Sequence, residues 1–183
     1  MFMHRLRVFL LCFCGLQAAW AAPTAAELEL SLVGHWQGAL EYRDYQSDGL
    51  LKLPMQTRIS VGPDGATVTR LSNFDDGPQT GTVTITTVSL FDKAGTQLSS
   101  AVFRKGRAVE TASDEARVAQ WQDAQHWTVI FQRRGLDNHK AADIRITQTR
   151  KGLELRAVKE VKAVDQPDSA YTFRNQTVLT LQP

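Results

Sequence analysis

Apolar and polar residues alternate along much of the chain, which is the pattern of half-buried β-strands. In the stretch 34–45, Trp36, Leu40 and Tyr42 share one face, whereas Glu41 lies on the other. A large indole near the start of a strand is well placed to plug the end of a small barrel. This stretch therefore predicts the first strand of a closed sheet, with Trp36 pointing inward.

About ten such strands follow one another, separated by short polar turns. A slip in the apolar phase between Ile85 and Val88 predicts a β-bulge, and residues 135–139 read as a polar loop. The segment that begins at Ser113 is compatible with either a helical turn or a strand. In the last strand the alternation places Phe173 on the inner face. The predicted strands are 34–45, 50–61, 66–74, 80–91, 97–104, 107–111, 117–122, 126–133, 142–149, 153–162 and 171–181.

The order of these strands predicts an all-β fold. Short hairpins, no βαβ spacing and no long helix indicate a single antiparallel up-and-down β-barrel of about eight to ten strands. A β-sandwich is the nearest alternative, but closure is favoured because it removes exposed strand edges. Thr24 and Glu27 have the spacing of a capping box, which predicts a short helix over one end of the barrel.

Residues 1–21 have the organisation of a secretory signal peptide. Basic residues precede a short apolar run, and a small-x-small triplet ends at Ala21. A lipoprotein processed at Cys14 is the alternative, which the bulky Phe13 disfavours. We therefore expect a periplasmic or secreted protein with a cleaved signal peptide (1–21), an N-terminal segment (22–33) and one β-barrel domain (34–183).

Processing at this position changes both the cysteine count and the charge. Cys12 and Cys14 both lie in the signal peptide, so the remaining chain has no thiol for a disulfide or a thiolate metal site. The full chain has 21 Lys and Arg against 19 Asp and Glu. Removing Arg5 and Arg7 with the signal peptide brings the net charge to zero. A balanced surface disfavours nucleic acid as a partner.

Charged residues on the presumed outer faces of the strands bear on membrane insertion. Charges in a lipid-facing belt are costly, so these positions disfavour a membrane-spanning barrel. They are Glu41, Arg43, Lys52, Arg58, Arg145 and Arg156.

The tripeptide Gly34-His35-Trp36 resembles the G-x-W signature that opens the first strand of lipocalins and their calycin relatives. The resemblance implies a barrel that holds a ligand, without naming the ligand. It also implies that an arginine of the last strand packs over the tryptophan, and Arg174 is the residue in that strand. The stretch 34–45, together with Asp76-Gly77-Pro78, is also similar to uncharacterised bacterial exported proteins.

No catalytic, cofactor or metal motif stands out in the sequence. His35, His126 and His139 are far apart and lack ligand spacing, so we expect structural roles for them and predict no cofactor. Several polar residues are in phase with inward apolar ones, and such groups either pair inside the barrel, as Arg70 with Asp44, or contact a ligand. The predicted ligand-binding residues, polar and apolar together, are Trp36, Tyr42, Asp44, Met55, Arg70, Trp127, Phe131 and Asn175.

Three functional hypotheses follow. The first is an envelope protein that binds a small hydrophobic or amphipathic ligand inside the barrel. The second is a protein-interaction barrel, such as an inhibitor or chaperone-like module, whose core is filled. The third is a cofactor-free isomerase or cyclase with Asp44 or Tyr42 as general acid or base and Arg70 stabilising negative charge. The third requires these groups to meet in one enclosed space.

Overall fold

The computed structural model describes residues 22–43, 49–166 and 168–183, and it forms a closed antiparallel barrel of ten strands. Neighbouring strands in the chain are hydrogen-bonded in sequence, and β1 closes the barrel against β10. The predicted all-β barrel is therefore confirmed. The elements are α1 Ala25–Leu30, β1 Gly34–Arg43, β2 Leu50–Val61, β3 Val68–Asp75, α2 Gly77–Thr80, β4 Thr82–Phe91, β5 Gln97–Arg104, β6 Glu110–Asp123, β7 His126–Asp137, β8 Lys140–Lys151, β9 Glu154–Ala163 and β10 Thr172–Leu181.

Several local predictions differ from the structure. The segments 107–111 and 117–122 belong largely to one long strand, β6. The prediction of a bulge in β4 is wrong. This strand pairs with β3 in unbroken register, and the side chains of Val88 and Leu90 face outward. The polar loop predicted at 135–139 is mostly strand, because β7 continues to Asp137 and only two residues make the turn.

A register shift in β10 reverses the face of Phe173. The shift lies between Phe173 and Asn175. Phe173 is opposite Glu160, which faces out and pairs with Arg145, whereas Asn175 is opposite the inward Lys159. The inner-face prediction for Phe173 is therefore wrong, since a bulge carries an extra residue and inverts the alternation beyond it.

The barrel has two different ends. The helix α1 covers the end at which β1 begins, which we call the closed end. The opposite end, at which β1 finishes, is the open end. Apolar side chains fill the interior from the closed end into the middle of the barrel. The larger of their buried members are Leu28, Leu32, Trp36, Met55, Ile59, Val68, Trp127, Val129, Phe131, Leu155 and Leu179.

The hydrogen-bonded ladder between β6 and β7 is incomplete towards the open end. Its pairs run from Glu115↔Gln132 to Asp123↔His126. In the described part of the chain, the residues 110–114 of β6 pair only with β5, and 133–137 of β7 pair only with β8. The side chains of Arg133 and Asp114 bridge the start of this opening at 2.6 Å.

Polar and charged side chains cover much of the outer surface and pair with one another. Glu41 lies 3.2 Å from Lys52 and also accepts a hydrogen bond from Gln176. The hydrogen bond from Gln176, together with Lys52, lowers the pKa of Glu41. Within the described ranges, none of the helices has the length and apolar character needed to cross a membrane. The predicted signal peptide, residues 1–21, lies outside the described residues.

Candidate functional site

The closed end is built on the predicted capping box. The Thr24 hydroxyl accepts from the Glu27 backbone N–H at 3.2 Å, and the Glu27 carboxylate accepts from the Thr24 backbone N–H at 2.7 Å. These bonds satisfy backbone donors at the helix start, which otherwise lack partners. The β4–β5 turn packs against this cap, since a Cβ at Gly95 would lie 2.9 Å from the Thr24 Cβ. The prediction of a short helix is confirmed.

A buried carboxylate links this helix to the barrel wall. Glu29 is 3% exposed and accepts hydrogen bonds from Arg70 of β3 and Gln148 of β8. A buried charge is tolerated only when it is paired and hydrogen-bonded. Arg70 therefore serves to hold the helix in place, and its predicted partner Asp44 lies outside the described residues.

Trp36 also belongs to the closed end. It is 1% exposed, and its indole N–H donates to the Leu32 carbonyl at 2.8 Å. The cation over its ring is Arg150 of β8, whose guanidinium carbon lies 5.8 Å from the ring centroid. Burial lowers the pKa of Arg150, partly offset by Asp123. The expectation that Arg174 packs over Trp36 is wrong. Arg174 lies at the β10 bulge near the open end of the barrel, where its side chain is close to Asp137, whereas Trp36 lies at the closed end.

The open half of the barrel contains a cavity of about 410 Å³. Inward-facing apolar side chains of β1 to β4 form much of its wall, and charged and polar side chains lie at its mouth. Its volume falls within the range of small-molecule sites, about 300–1,000 Å³. The cavity is lined by Leu40, Tyr42, Arg43, Leu53, Phe74, Asp76, Val83, Ile85, Arg104, Asp137, Lys159, Arg174 and Asn175.

The polar part of this cavity centres on Asp137. Its side chain is 9% exposed, and the Lys159 ammonium donates to Oδ1 at 2.9 Å. The Arg174 Nε lies 2.7 Å from Oδ2, although these two atoms are not aligned for a hydrogen bond. Two cations from β9 and β10 thus share one carboxylate from β7, which leaves the group with a net positive charge.

Further charged side chains at the mouth of the cavity increase the excess of positive charge. Arg43 and Arg104 add two positive charges, and Asp76 adds one negative charge. Arg104 makes no ion pair with any residue in the described ranges. The lining as a whole therefore has two more cations than carboxylates, although the chain from residue 22 onward is neutral. An anionic group is the chemistry that such a mouth favours.

The structure divides the predicted ligand-binding residues between three places. Tyr42 and Asn175 line the cavity. Trp36 and Arg70 lie at the closed end, and Asp44 lies outside the described residues. The other three residues are buried in the packed core and are not among the residues that line this cavity. They are Met55, Trp127 and Phe131.

Sequence reasoning missed most of the charged residues at the mouth. A signal was present for Lys159, which is in phase with the inward residues Leu155 and Val161, and for Arg104, which is in phase with Leu98. The sequence gives no sign that Asp137 faces the interior, because residues 135–139 read as a polar loop and not as part of a strand.

Neither a metal centre nor a histidine site appears in the described ranges. They contain no group of three or more His, Cys, Asp or Glu side chains placed to hold a metal ion. His126 instead pairs with Asp123 at 2.9 Å on the exposed edge of the β6–β7 turn. In that turn, the buried Trp127 donates its indole N–H to the Ala124 carbonyl at 3.2 Å.

No protein family matches the chain, and no curated protein matches its sequence. Among solved structures, it is similar to the crystal structure of Rv2717c from M. tuberculosis, with a TM-score of 0.60 and 17% identity over 88% of this chain and 99% of that chain. At this level of identity the similarity supports the barrel fold and says nothing about a ligand.

Proposed function

We propose that this protein is an exported binding protein that holds a small amphipathic molecule in the open half of its barrel. The observation that carries the proposal is the cavity of about 410 Å³, which has apolar walls and a positively charged mouth. Sites that combine mostly apolar walls with a few converging polar groups are typical of small-molecule binding. Export rests on the signal peptide predicted at residues 1–21, and a lipocalin-like mode of binding rests on the resemblance at Gly34-His35-Trp36.

The charge at the mouth supports an acidic polar end on the ligand. The apolar part would lie against Leu53, Phe74 and Ile85, and the acidic group would face Arg104 and the Lys159 ammonium. Hydrogen bonds to charged partners are stronger than neutral ones, so they orient the ligand as well as bind it. Tyr42 and Asn175 offer further polar contacts at the same level.

The other two hypotheses receive less support. A completely filled core would leave no cavity, whereas the open half contains one of about 410 Å³. With Tyr42 as its acid or base, the enzymatic hypothesis needs Arg70 beside Tyr42, but Arg70 is paired with Glu29 at the closed end and Tyr42 lies at the open end. Their strand positions differ by most of the length of β2, roughly 25 Å at about 3.3 Å per residue. The alternative acid or base, Asp44, lies outside the described residues.

A fluorescent amphipathic anion, anilinonaphthalene sulfonate, tests the proposal. Leu53→Trp fills the cavity and is expected to weaken binding at least about tenfold, which corresponds to about 1.4 kcal/mol. Leu71→Trp on the outer face is the matched control and is expected to bind as the wild type does. Equal binding by both variants would refute the proposed location.

The polar contact is tested separately with Arg104→Met. This variant is expected to weaken binding of the sulfonate probe while leaving binding of the neutral N-phenylnaphthylamine almost unchanged. An equal loss of binding affinity for both probes would mean that Arg104 shapes the cavity and does not recognise an anion. Native mass spectrometry of the protein isolated from the envelope then identifies any bound molecule by its mass.

A further inference from the structure

Exposed apolar side chains border the β6–β7 opening at the open end. Phe103 and Val109 flank the β5–β6 hairpin and are 45% and 54% exposed. Leu136 lies across the opening on β7 and is 70% exposed. Phe103 and Leu136 face outward, because their neighbours Arg104 and Asp137 line the cavity. None of the three is needed for the cavity wall.

Basic residues surround these apolar side chains. Lys105 and Arg107 belong to the same hairpin, and Lys140 follows the β7–β8 turn beside Leu136. The acidic residue of the hairpin is Glu110, so Lys105, Arg107, Lys140 and Glu110 together carry a net charge of about +2. We call these apolar and basic residues together the hairpin patch.

We propose that the hairpin patch docks the protein on an anionic lipid bilayer. Apolar side chains that enter the interface and cations that face acidic headgroups are the two components of peripheral membrane binding. The charge of the patch is complementary to such a surface, while the chain from residue 22 onward is neutral. The inference goes beyond ligand binding and does not require the cavity to be occupied.

The position of the patch gives this docking a geometric consequence. It places the bilayer beside the open end and the incomplete β6–β7 ladder, and it leaves α1 pointing away from the membrane. Closed-end residues are therefore suitable controls. Leu153 is 57% exposed and lies in the β8–β9 turn, two positions after Lys151 at the end of β8. These two residues provide a similar apolar and basic pair at the opposite end of the barrel.

Sedimentation with vesicles tests the proposal, using the exported form of the protein with its N-terminus verified by intact mass. Vesicles of equal parts phosphatidylglycerol and phosphatidylcholine are compared with vesicles of phosphatidylcholine alone. Binding is expected only to the anionic vesicles and is expected to fall as salt is added. Each cation near an anionic surface contributes about fivefold in affinity, so Lys105→Gln with Arg107→Gln is expected to weaken binding about 25-fold.

Two further variants test the apolar component of the patch and its position on the barrel. Phe103→Ser with Leu136→Ser removes the apolar component and is expected to weaken binding, whereas Lys151→Gln with Leu153→Ser is expected to leave it unchanged. The cavity-filling Leu53→Trp variant is expected to keep vesicle binding, so that a failure of ligand binding is distinguishable from a failure of docking. Circular dichroism confirms that each variant is folded.

Three outcomes would overturn the proposal. One is equal binding to both kinds of vesicle, or no binding to either. Another is an equal loss of binding in the closed-end control. The third is a dimer in solution that the patch substitutions dissociate without changing vesicle binding, since the patch would then be an interface between copies of the chain.

Discussion

Neutralising Glu29 is expected to destabilise the protein through the closed end of the barrel. The carboxylate is 3% exposed, and it joins the helix to Arg70 and Gln148 on two different strands. Glu29→Gln keeps the shape of the side chain and removes its charge. Arg70, whose side chain is 22% exposed, then lacks its counter-charge, and one amide donor at the site loses its acceptor.

The expected magnitude follows from this burial. Breaking a buried ion pair by removing one partner costs about 3–5 kcal/mol. Because Arg70 retains some contact with water, the lower end of this range applies, about 3 kcal/mol. Such a loss is a large share of a typical unfolding free energy of about 5–15 kcal/mol. Glu41→Gln, which breaks a pair with the 69% exposed Lys52, is the control and should cost less than about 1 kcal/mol.

Urea unfolding at neutral pH measures these differences. A double-mutant cycle with Glu29→Gln and Arg70→Met isolates the pair, and we expect the double variant to be more stable than the sum of the single effects predicts. Binding of the sulfonate probe should change less than twofold, because the cavity lies at the other end. Additive single effects, or a Glu29→Gln variant as stable as the wild type, would refute this account of the closed end.

Three further predictions concern other parts of the barrel. Hydrogen bonds from Thr67 lower the pKa of Asp64 from 3.8 to about 2, so the contribution of this turn is present above pH 3.8 and lost as the pH falls towards 2; Thr67→Val should raise this pKa in an NMR titration. Gly95→Ala and Gly65→Ala both place alanine at a φ of +70°, but only the former meets the helix cap, so thermal unfolding should show the larger loss for Gly95→Ala. Because the ladder to β6 ends at Gln132, the amides of 133–137 that point towards β6 should exchange hydrogen faster than the amides of 126–132 that do so, and equal protection would contradict the incomplete ladder.

The sequence predicted the barrel because alternation is a local signal. The period of two within each strand indicates which residues face inward, and the short hairpin turns indicate the order of the strands. The capping box at Thr24 and the inward Trp36 are equally local, and both predictions are confirmed. A bulge defeats this kind of prediction, because one extra residue reverses the inward or outward direction of the side chains beyond it, as at Phe173.

The site was harder to predict because periodicity gives the face of a residue and not its height in the barrel. Arg70 and Tyr42 are both inward, so the sequence placed them in one interior. Their register separates them, with Arg70 opposite Ile59 and Tyr42 opposite Leu51 at the two ends of β2. The partners of Glu29 lie 41 and 119 positions away in the chain, and no local pattern reveals such contacts.

Glu29 and Asp137 differ in what they hold, and this difference yields a last prediction. Glu29 joins a separate helix to the barrel, whereas Asp137 contacts Lys159 and Arg174 on strands that backbone ladders already hold. Asp137→Asn should therefore destabilise the protein less than Glu29→Gln in the same urea assay. It should also strengthen binding of the sulfonate probe several-fold, because a carboxylate that competes for the two cations is removed. Weaker binding by Asp137→Asn would mean that the carboxylate is needed to position Lys159 and Arg174 for the anion, and it would refute the account of Asp137 as a competitor for these two cations.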